Sequence, residues 1–471
     1  MAGPPNILWI TTDHQRTDAL GCYGSTWAHS PNIDALSRRG VRCAQATCQS
    51  PSCTPSRASM WTGNYVQRLG TAAYGKAPEP TTHTPLVRRF REAGYETAHL
   101  GKYNYMNNPA ALEACFDVID YGLPPGGSLT PWCVLPDDIH VDDDHFIRAP
   151  HNRLVVGGVN PLPEDQTYCA VMTRMATDYL RQPRSRPFFL RWSLDVPHMP
   201  FVPIPRFHGT TDRDRVDLSL PTRAELESKP KREIEHIRKF YNFHALTPEQ
   251  LREARGCFYD LCAELDEAIG RLLQVLAETG ADENTIIVIN TDHGAMLGEH
   301  GVGTIRTFYD PVIQVPLIWS WPGRLPEDTV LSDPVELIDI LPTLLDLSGL
   351  DVPASIDGRS ISSQLLGKAS APDRPTFSEY DTALSPIGGS ADWVPPEAYW
   401  HPAVDRRIMI RADGWKLDRN YGASDYGPDG ALYDLRNDPS ELVNLFDHPR
   451  HRPRQEQLER LTSNWLDQVQ V

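Results

Sequence analysis

The stretch NILWITTDH, residues 6–14, decides the fold, and TIIVINTDHG, residues 285–294, is its counterpart far along the chain. Each is a short, continuous apolar run that ends in Asp-His. Runs of this length, without polar alternation, read as strands buried on both faces of a parallel sheet. Three further runs have the same character, at 96–100, 187–193 and 315–319. Helical patterns lie between them. Residues 31–39 follow Ser30 and stop at Gly40; residues 84–93 end at Gly94; 167–181 is amphipathic; and 247–278 opens with Thr-Pro-Glu-Gln and ends at Gly280. Ser or Thr before a helix, Pro at its first position and Gly after its end are the expected boundary signals. Alternation of strand and helix predicts an α/β fold with helices on both faces of the sheet.

Ligands of open α/β sheets bind outside the carboxyl ends of the strands. Four of the predicted strands are followed by residues that carry chemistry. Asp13 and His14 follow the first, Lys102 follows 96–100, His198 follows 187–193, and Asp292 and His293 follow 285–290. Two Asp-His pairs at equivalent places are candidate metal ligands: carboxylates bring charge and neutral imidazole a softer donor. A second candidate is CTPSRASMWTG, residues 53–63. Pro55 opens a helix that ends near Gly63, which places Cys53 just before a helix N-terminus, where free N–H groups favour an anion. Arg57, in the first turn, has the fork that suits a sulfate or phosphate oxygen pair.

The 471 residues exceed one small domain and suit a large domain with a smaller one. Hydrophobic residues make up 40% and charged residues 23%, enough for a sizeable core. With 45 Lys+Arg against 62 Asp+Glu, the formal net charge of -17 argues against nucleic acid or an anionic membrane as a partner. The opening residues carry no basic segment and only a four-residue apolar run, so neither a signal peptide nor a membrane span is expected. Nine scattered cysteines, an odd number, fit a reducing cytoplasm better than a disulfide framework. Residues 121–163 and 205–238 read as long excursions that shape the rim of the site. The chain divides into 1–375, a catalytic α/β domain, and 376–471, a smaller C-terminal α+β unit with a terminal helix near 454–465.

Here the sequence resembles a known family. CTPSR, with Thr62-Gly63 a few residues on, looks like the signature of the type I sulfatases, in the alkaline-phosphatase-like superfamily. PNILWITTDHQRTDALGCYG, AHLGKYN, PHMPF, TDHGAMLGEHG, YDPVIQVPLIWSWPGR and the closing WKLDRN and ALYDLRNDPSELVNL follow in that family's order. The resemblance implies an alkaline-phosphatase-like sandwich, a large mostly parallel sheet between helices with a smaller C-terminal subdomain. It implies a sulfuric ester hydrolase in which Cys53 is converted to formylglycine by a maturation enzyme, hydrated, and used as nucleophile on one divalent metal ion. Asp13, His14, Asp292 and His293, with position 53, would hold the metal. Arg57 would steady the formylglycine hydroxyl, Lys102 would neutralise sulfate oxygens and His198 would protonate the leaving oxygen.

The sequence also departs from that pattern. His14 stands where an acid or amide is usual, which weakens the case for calcium and leaves manganese, magnesium or zinc open. Asn104 stands where a His is usual and cannot take a proton. Ile305 stands where a second sulfate-binding Lys is expected, with Arg306 or His300 as replacements. Asn104 and Arg306 therefore remain substrate-contacting candidates. The expected partner is a small sulfate ester, with homo-oligomer formation left open. A phosphonate monoester or phosphodiester hydrolase on the same site is the alternative activity, and a catalytically lapsed binding protein the alternative from another class. Trp393, Tyr399 and Trp400 read as loop packing, Asp137 to Asp144 as a solvated loop, 228–238 as a solvated helix face, His244, His300 and His401 as surface or supporting residues, and Cys257 and Cys262 as core.

Overall fold

The structure is a computed structural model, and it describes residues 3–70, 85–102, 114–122, 146–148, 155–218, 220–234, 238, 242–381, 406–421 and 429–469. Asn104, His401, the aromatic residues 393, 399 and 400 and the acidic stretch 137–144 lie outside them.

The run Asn6–Thr12 forms the centre of the main sheet. It pairs in parallel with Thr285–Thr291 on one side and Phe188–Ser193 on the other, and Glu96–Gly101 and Val118–Asp120 extend the sheet, again in parallel. Beyond Thr285–Thr291 lie Leu317–Ser320, Gly40–Thr47 and, parallel to the latter, Thr329–Glu336. Nine strands among the described residues make this sheet. The predicted strand 315–319 differs in two ways. Pro316 splits it into Gln314–Val315 and Leu317–Ser320, and both pieces run antiparallel to Gly40–Thr47. A proline has no N–H for the ladder, so the strand breaks there.

Alternating residues of the central strands enter opposite cores, as the two-residue period of a strand requires. Ile7, Trp9, Phe189, Ile286 and Val288 point to one face, which the helices Cys53–Thr62 and Ile340–Leu347 cover. Leu8, Ile10, Leu190, Ile287 and Ile289 point to the other, under the helices Pro31–Arg38, Tyr168–Arg181 and Pro248–Glu278. The capping reading of the longest helix holds in detail: Thr247 accepts from the Gln250 N–H, and the Gln250 side chain accepts from the Thr247 N–H. Polar residues also stand inside the first core, among them His99, against Trp61 and Phe116, and Arg191. Arg191 is fully buried, with its guanidinium 4.5 Å from the Trp9 ring and 4.1 Å from the Trp61 ring.

A separate antiparallel sheet of Thr376–Asp381, Arg406–Ala412, Trp415–Asn420 and Gly430–Asp434 lies near the C-terminus. Asp413-Gly414 makes its tight hairpin with both residues at positive φ, 50° and 73°, the backbone that an Asp-Gly pair favours. The terminal helix Arg452–Val469 packs there, with Trp465 stacked on Phe377 at 4.4 Å. The stretch read as a solvated face, 228–238, is instead partly core. Lys229, Arg232 and Glu233 are buried, and their charges are met: Lys229 Nζ donates to the Glu441 carbonyl at 2.6 Å and Glu233 accepts from the Tyr309 hydroxyl at 2.6 Å. His300 is likewise buried, with Nδ1 2.6 Å from Glu225 and its ring stacked on Tyr309.

Glu264, on the long helix, gives the first test. Burial pushes its carboxyl up to about 7, against the hydrogen bond it accepts from the Ile204 N–H. An acid raised above its unfolded value favours the folded state most at low pH, and that contribution is lost as pH rises through 7. Glu264→Gln should therefore raise stability by about 1–3 kcal/mol at pH 8.5 and by little at pH 4.5. Urea melts at the two pH values check this; an equal shift at both would refute it.

Candidate active site

The register of the central sheet builds the site. Thr12 pairs with Thr291, so Asp13 and Asp292 leave neighbouring parallel strands side by side, and the Asp292 N–H donates to the Thr12 carbonyl. Thr11 pairs with Ser193 and Ser193 with Gly101, which brings Asp195, His198 and Lys102 to the same edge. Gly101 is required there. Its φ is +99°, and a Cβ at that position would lie 2.0 Å from the Ser193 carbonyl oxygen.

The Cys53–Thr62 helix ends on Gly63 in the left-handed conformation and lays its first turn against this edge. Its first residue is Cys53 itself, with Ser52 at the cap, so the cysteine stands in the first turn and not before it. Ser56 Oγ donates to the Asp292 carbonyl at 2.6 Å and fixes the helix on the second strand. One turn position on, Arg57 is fully buried and spends its whole fork. Nε donates to Asp292 Oδ2 at 2.6 Å, Nη2 to Asp13 Oδ2 at 3.2 Å and to the Thr12 carbonyl at 3.3 Å, and Nη1 to Ser193 Oγ at 2.7 Å.

Around Cys53 the donors converge. Cys53 Sγ is 3.2 Å from His293 Nε2 and 3.9 Å from Asp13 Oδ1. His293 Nδ1 is 2.9 Å from the Gly294 carbonyl; the ring must donate there, which leaves the Nε2 lone pair facing Cys53. His198 is held the same way, Nδ1 at 2.6 Å from the Met199 carbonyl. His14, at φ +68°, lies between these two rings, 4.2 Å from His198 and 5.0 Å from His293. Neither His14 nitrogen makes a hydrogen bond among the described residues, although both are buried. One donor atom each from Asp13, His14, Cys53 and His293 all lie within 4.8 Å of one another. Oxygen and imidazole donors with a bare buried imidazole fit a divalent cation. Asp292 stands beside this group with Oδ2 on Arg57 and Oδ1 accepting from the His293 N–H.

The electrostatics follow from burial and neighbours. Burial pushes the Cys53 thiol well up, and Asp13 adds to it. Burial also raises Asp13, but Lys102, His198, His14 and Arg57 together hold its carboxyl well below the usual range. Asp292 is raised by burial, with Arg57 opposing. His14 is held below its usual value by burial and by His198. Burial disfavours the charged form of Lys102, but Asp13 and Asp195 more than offset it and raise its pKa well above the ordinary value.

Asp13, His14, Cys53, Arg57, Lys102, Asp292 and His293 therefore come together, with His198 against His14. Arg306 reaches the neighbourhood through its backbone, its N–H donating to the Pro51 carbonyl at 3.1 Å. Ile305 is buried among apolar residues, and His300 is engaged by Glu225. Sequence reasoning missed Asp195, which is buried and pairs with Lys102 Nζ through Oδ1. Its signal was the same as that of Asp13 and Asp292: an aspartate just past a buried strand. His208, Glu253 and Cys257 also converge, but Arg213 donates to both Glu253 oxygens at 2.9 Å and fills the place of a cation. Among the described residues no helix is long and apolar enough to cross a membrane.

Comparison with known proteins finds relatives that match nearly the whole chain. The family model described as Sulfatase matches residues 5–350. The chain is 28% identical to an uncharacterised sulfatase, YidJ, of Escherichia coli, over 99% of this chain and 88% of that one. It is 26% identical to an arylsulfatase of Clostridium perfringens, over 98% and 94% of the two chains. Among solved structures, a phosphonate monoester hydrolase from Silicibacter pomeroyi shares the fold, with a TM-score of 0.82, 23% identity and 99% and 96% coverage.

Arg57 generates the prediction here. Replacing it by Met leaves Asp13 and Asp292 buried together without their shared cation, which should cost about 3–5 kcal/mol in metal-free protein. Added divalent cation should recover part of the loss in a thermal melt. A variant as stable as wild type without metal would show that the pair does not depend on Arg57.

Proposed function

The chain belongs to the sulfatase family, and on that premise we propose that it hydrolyses a small sulfate ester to alcohol and sulfate at Cys53, matured to formylglycine by a maturation enzyme. The observation that carries this reading is the convergence of Asp13, His14 and His293 donor atoms on Cys53, with Arg57 directly behind it. When bound, a divalent cation supplies Lewis-acid charge, and the matured side chain supplies an aldehyde whose hydrate is the nucleophile. Asp13, His14, Asp292 and His293 would hold that cation. Two imidazoles among the ligands weaken the case for calcium and leave manganese, magnesium or zinc open.

The remaining steps belong to this chain's own residues. Arg57 pairs with both aspartates and holds them apart. Gly294 sets the His293 tautomer so that Nε2, not Nδ1, faces position 53. Met199 does the same for His198, whose Nε2 is left to carry a proton to the departing alkoxide oxygen. Lys102, held by Asp13 and Asp195, presents its charge to the sulfuryl oxygens. Asn104 and Arg306 remain the proposed substrate contacts. Burial of Asp13, His14, Cys53, Arg57, Lys102, Asp292 and His293 excludes bulk water from competing with their contacts.

A second reading has a specific observation behind it. Position 305, where the family resemblance leads one to expect a second sulfate-binding lysine, is a buried isoleucine. That leaves a phosphonate monoester or phosphodiester hydrolase on the same site as the alternative.

Two measurements test these readings. The peptide spanning Cys53 should lose about 18 Da on co-expression with a maturase, and Cys53→Ala should abolish turnover without loss of fold; unmodified thiol in active enzyme would overturn the mechanism. In a paired assay, kcat/KM for an aryl sulfate should exceed or match that for the corresponding aryl phosphonate. A preference for the phosphonate of more than about a hundredfold, roughly 2.7 kcal/mol, would replace the sulfatase assignment by the alternative.

A further inference from the structure

Lys102 sits between two carboxylates. Its Nζ is 2.8 Å from Asp13 Oδ2 and also contacts Asp195 Oδ1. One aspartate would suffice to pair one ammonium. Asp195 is 3% exposed, and among the described residues its other oxygen, Oδ2, has no hydrogen-bond partner. A buried carboxylate with a bare oxygen is costly to keep, so stability does not account for it. Its position does. It lies on the same strand-end edge as the catalytic candidates, three residues before His198, whose N–H donates to the Asp195 carbonyl.

We propose that Asp195 is a specificity-determining residue that sets the net charge of the site, so that a monoanionic ester is held and a dianion is rejected. The inference rests on the sulfate-ester reading above and adds a reason for turnover. Among the described residues the contacting charges are Asp13, Asp195 and Asp292 against Arg57 and Lys102, which leaves one negative charge. A divalent cation turns that into one positive charge. A sulfate monoester, with a single negative charge, neutralises it. Hydrolysis then changes the count: the bond between sulfur and the alcohol oxygen breaks, a bond from sulfur to a water-derived oxygen forms, the alkoxide takes one proton, and a second proton leaves to solvent. The product is sulfate dianion, which overshoots the site by one charge. In a buried site such charges are weakly screened, so the product is expelled by the same carboxylate that the substrate tolerates. Phosphate monoesters, dianions at neutral pH, are excluded on the same ground.

The test uses the metal-loaded full chain and two tetrahedral anions of similar size, methanesulfonate with one charge and sulfate with two, each titrated calorimetrically at pH 8. Wild type should bind methanesulfonate at least as tightly as sulfate. Asp195→Asn keeps the shape, and Lys102 retains Asp13; it should raise the affinity for sulfate relative to methanesulfonate by at least about tenfold. Tighter binding of sulfate by wild type would overturn the proposal without any variant. So would a variant that weakens both anions together, the result if Asp195 only positions Lys102, or binding of neither anion. Asp195→Ser gives the same readout where the amide disturbs packing. Turnover of aryl sulfate separates the two readings: an unchanged anion ratio in an active enzyme sinks the role of Asp195 alone, whereas the expected ratio in an enzyme without sulfatase activity sinks the hydrolase assignment alone.

Discussion

Everything in the site hangs on one buried guanidinium. Arg57 lies under Cys53 with no solvent exposure, and its fork joins Asp13 on one strand to Asp292 on the next. Two carboxylates at neighbouring strand ends would repel each other in a medium that screens poorly. A planar cation with several fixed donors resolves that repulsion and also fixes both side chains in direction, which an ammonium would not do. Ser193 and the Thr12 carbonyl take the remaining donors, so three strands and one helix are locked to each other through a single side chain.

That lock explains the arrangement of the histidines. With Asp13 and Asp292 held from behind, the front of the site is left to His14, His293 and Cys53. Backbone carbonyls at Gly294 and Met199 fix the tautomers of His293 and His198. His14 has no such partner and takes a left-handed backbone conformation to reach its place. Strain and a bare buried imidazole at one residue belong together when a ligand satisfies the side chain. A second buried guanidinium lies behind the lock. Arg191 sits between Trp9 and Trp61, so the core face beneath the site also carries a cation among aromatic rings.

Much of this was legible in the sequence because it is local. The runs at 6–12, 96–100, 187–193 and 285–290 are predominantly apolar, and the burial of their Val, Ile, Leu, Phe and Trp side chains follows from that composition, whereas the burial of Arg191 and His99 with them does not. The residue after a buried strand faces the sheet edge whatever the rest of the chain does, which is why Asp13, Lys102 and Asp292 could be named from their positions. The Thr-Pro-Glu-Gln cap is equally local. The failures share a different cause. Strand direction at 317–320 depends on how the connection from 285–291 returns, not on composition. The charges at 229–233 looked solvated, because the partners that let them be buried, Tyr309, Tyr433 and Glu441, lie some eighty to two hundred residues away.

The sequence by itself identified the central strands at 6–12, 96–100, 187–193 and 285–290, the residues at their carboxyl ends, and a cysteine and an arginine near the start of one helix; it did not show the strands Gly40–Thr47 and Thr329–Glu336 or the place of Cys53 inside the first turn. Only the tertiary structure decided which of these meet. Arg57 could have faced any anion until the register of Thr12 with Thr291 set two aspartates before it, and Asp195 had no meaning until the pairing of Gly101 with Ser193 brought Lys102 against it. Periodicity records how each segment is buried, because burial is a property of neighbours in sequence and of one face. Charge pairing is a property of distance in space, and between segments ninety to two hundred and eighty residues apart that distance is fixed by sheet order and register alone.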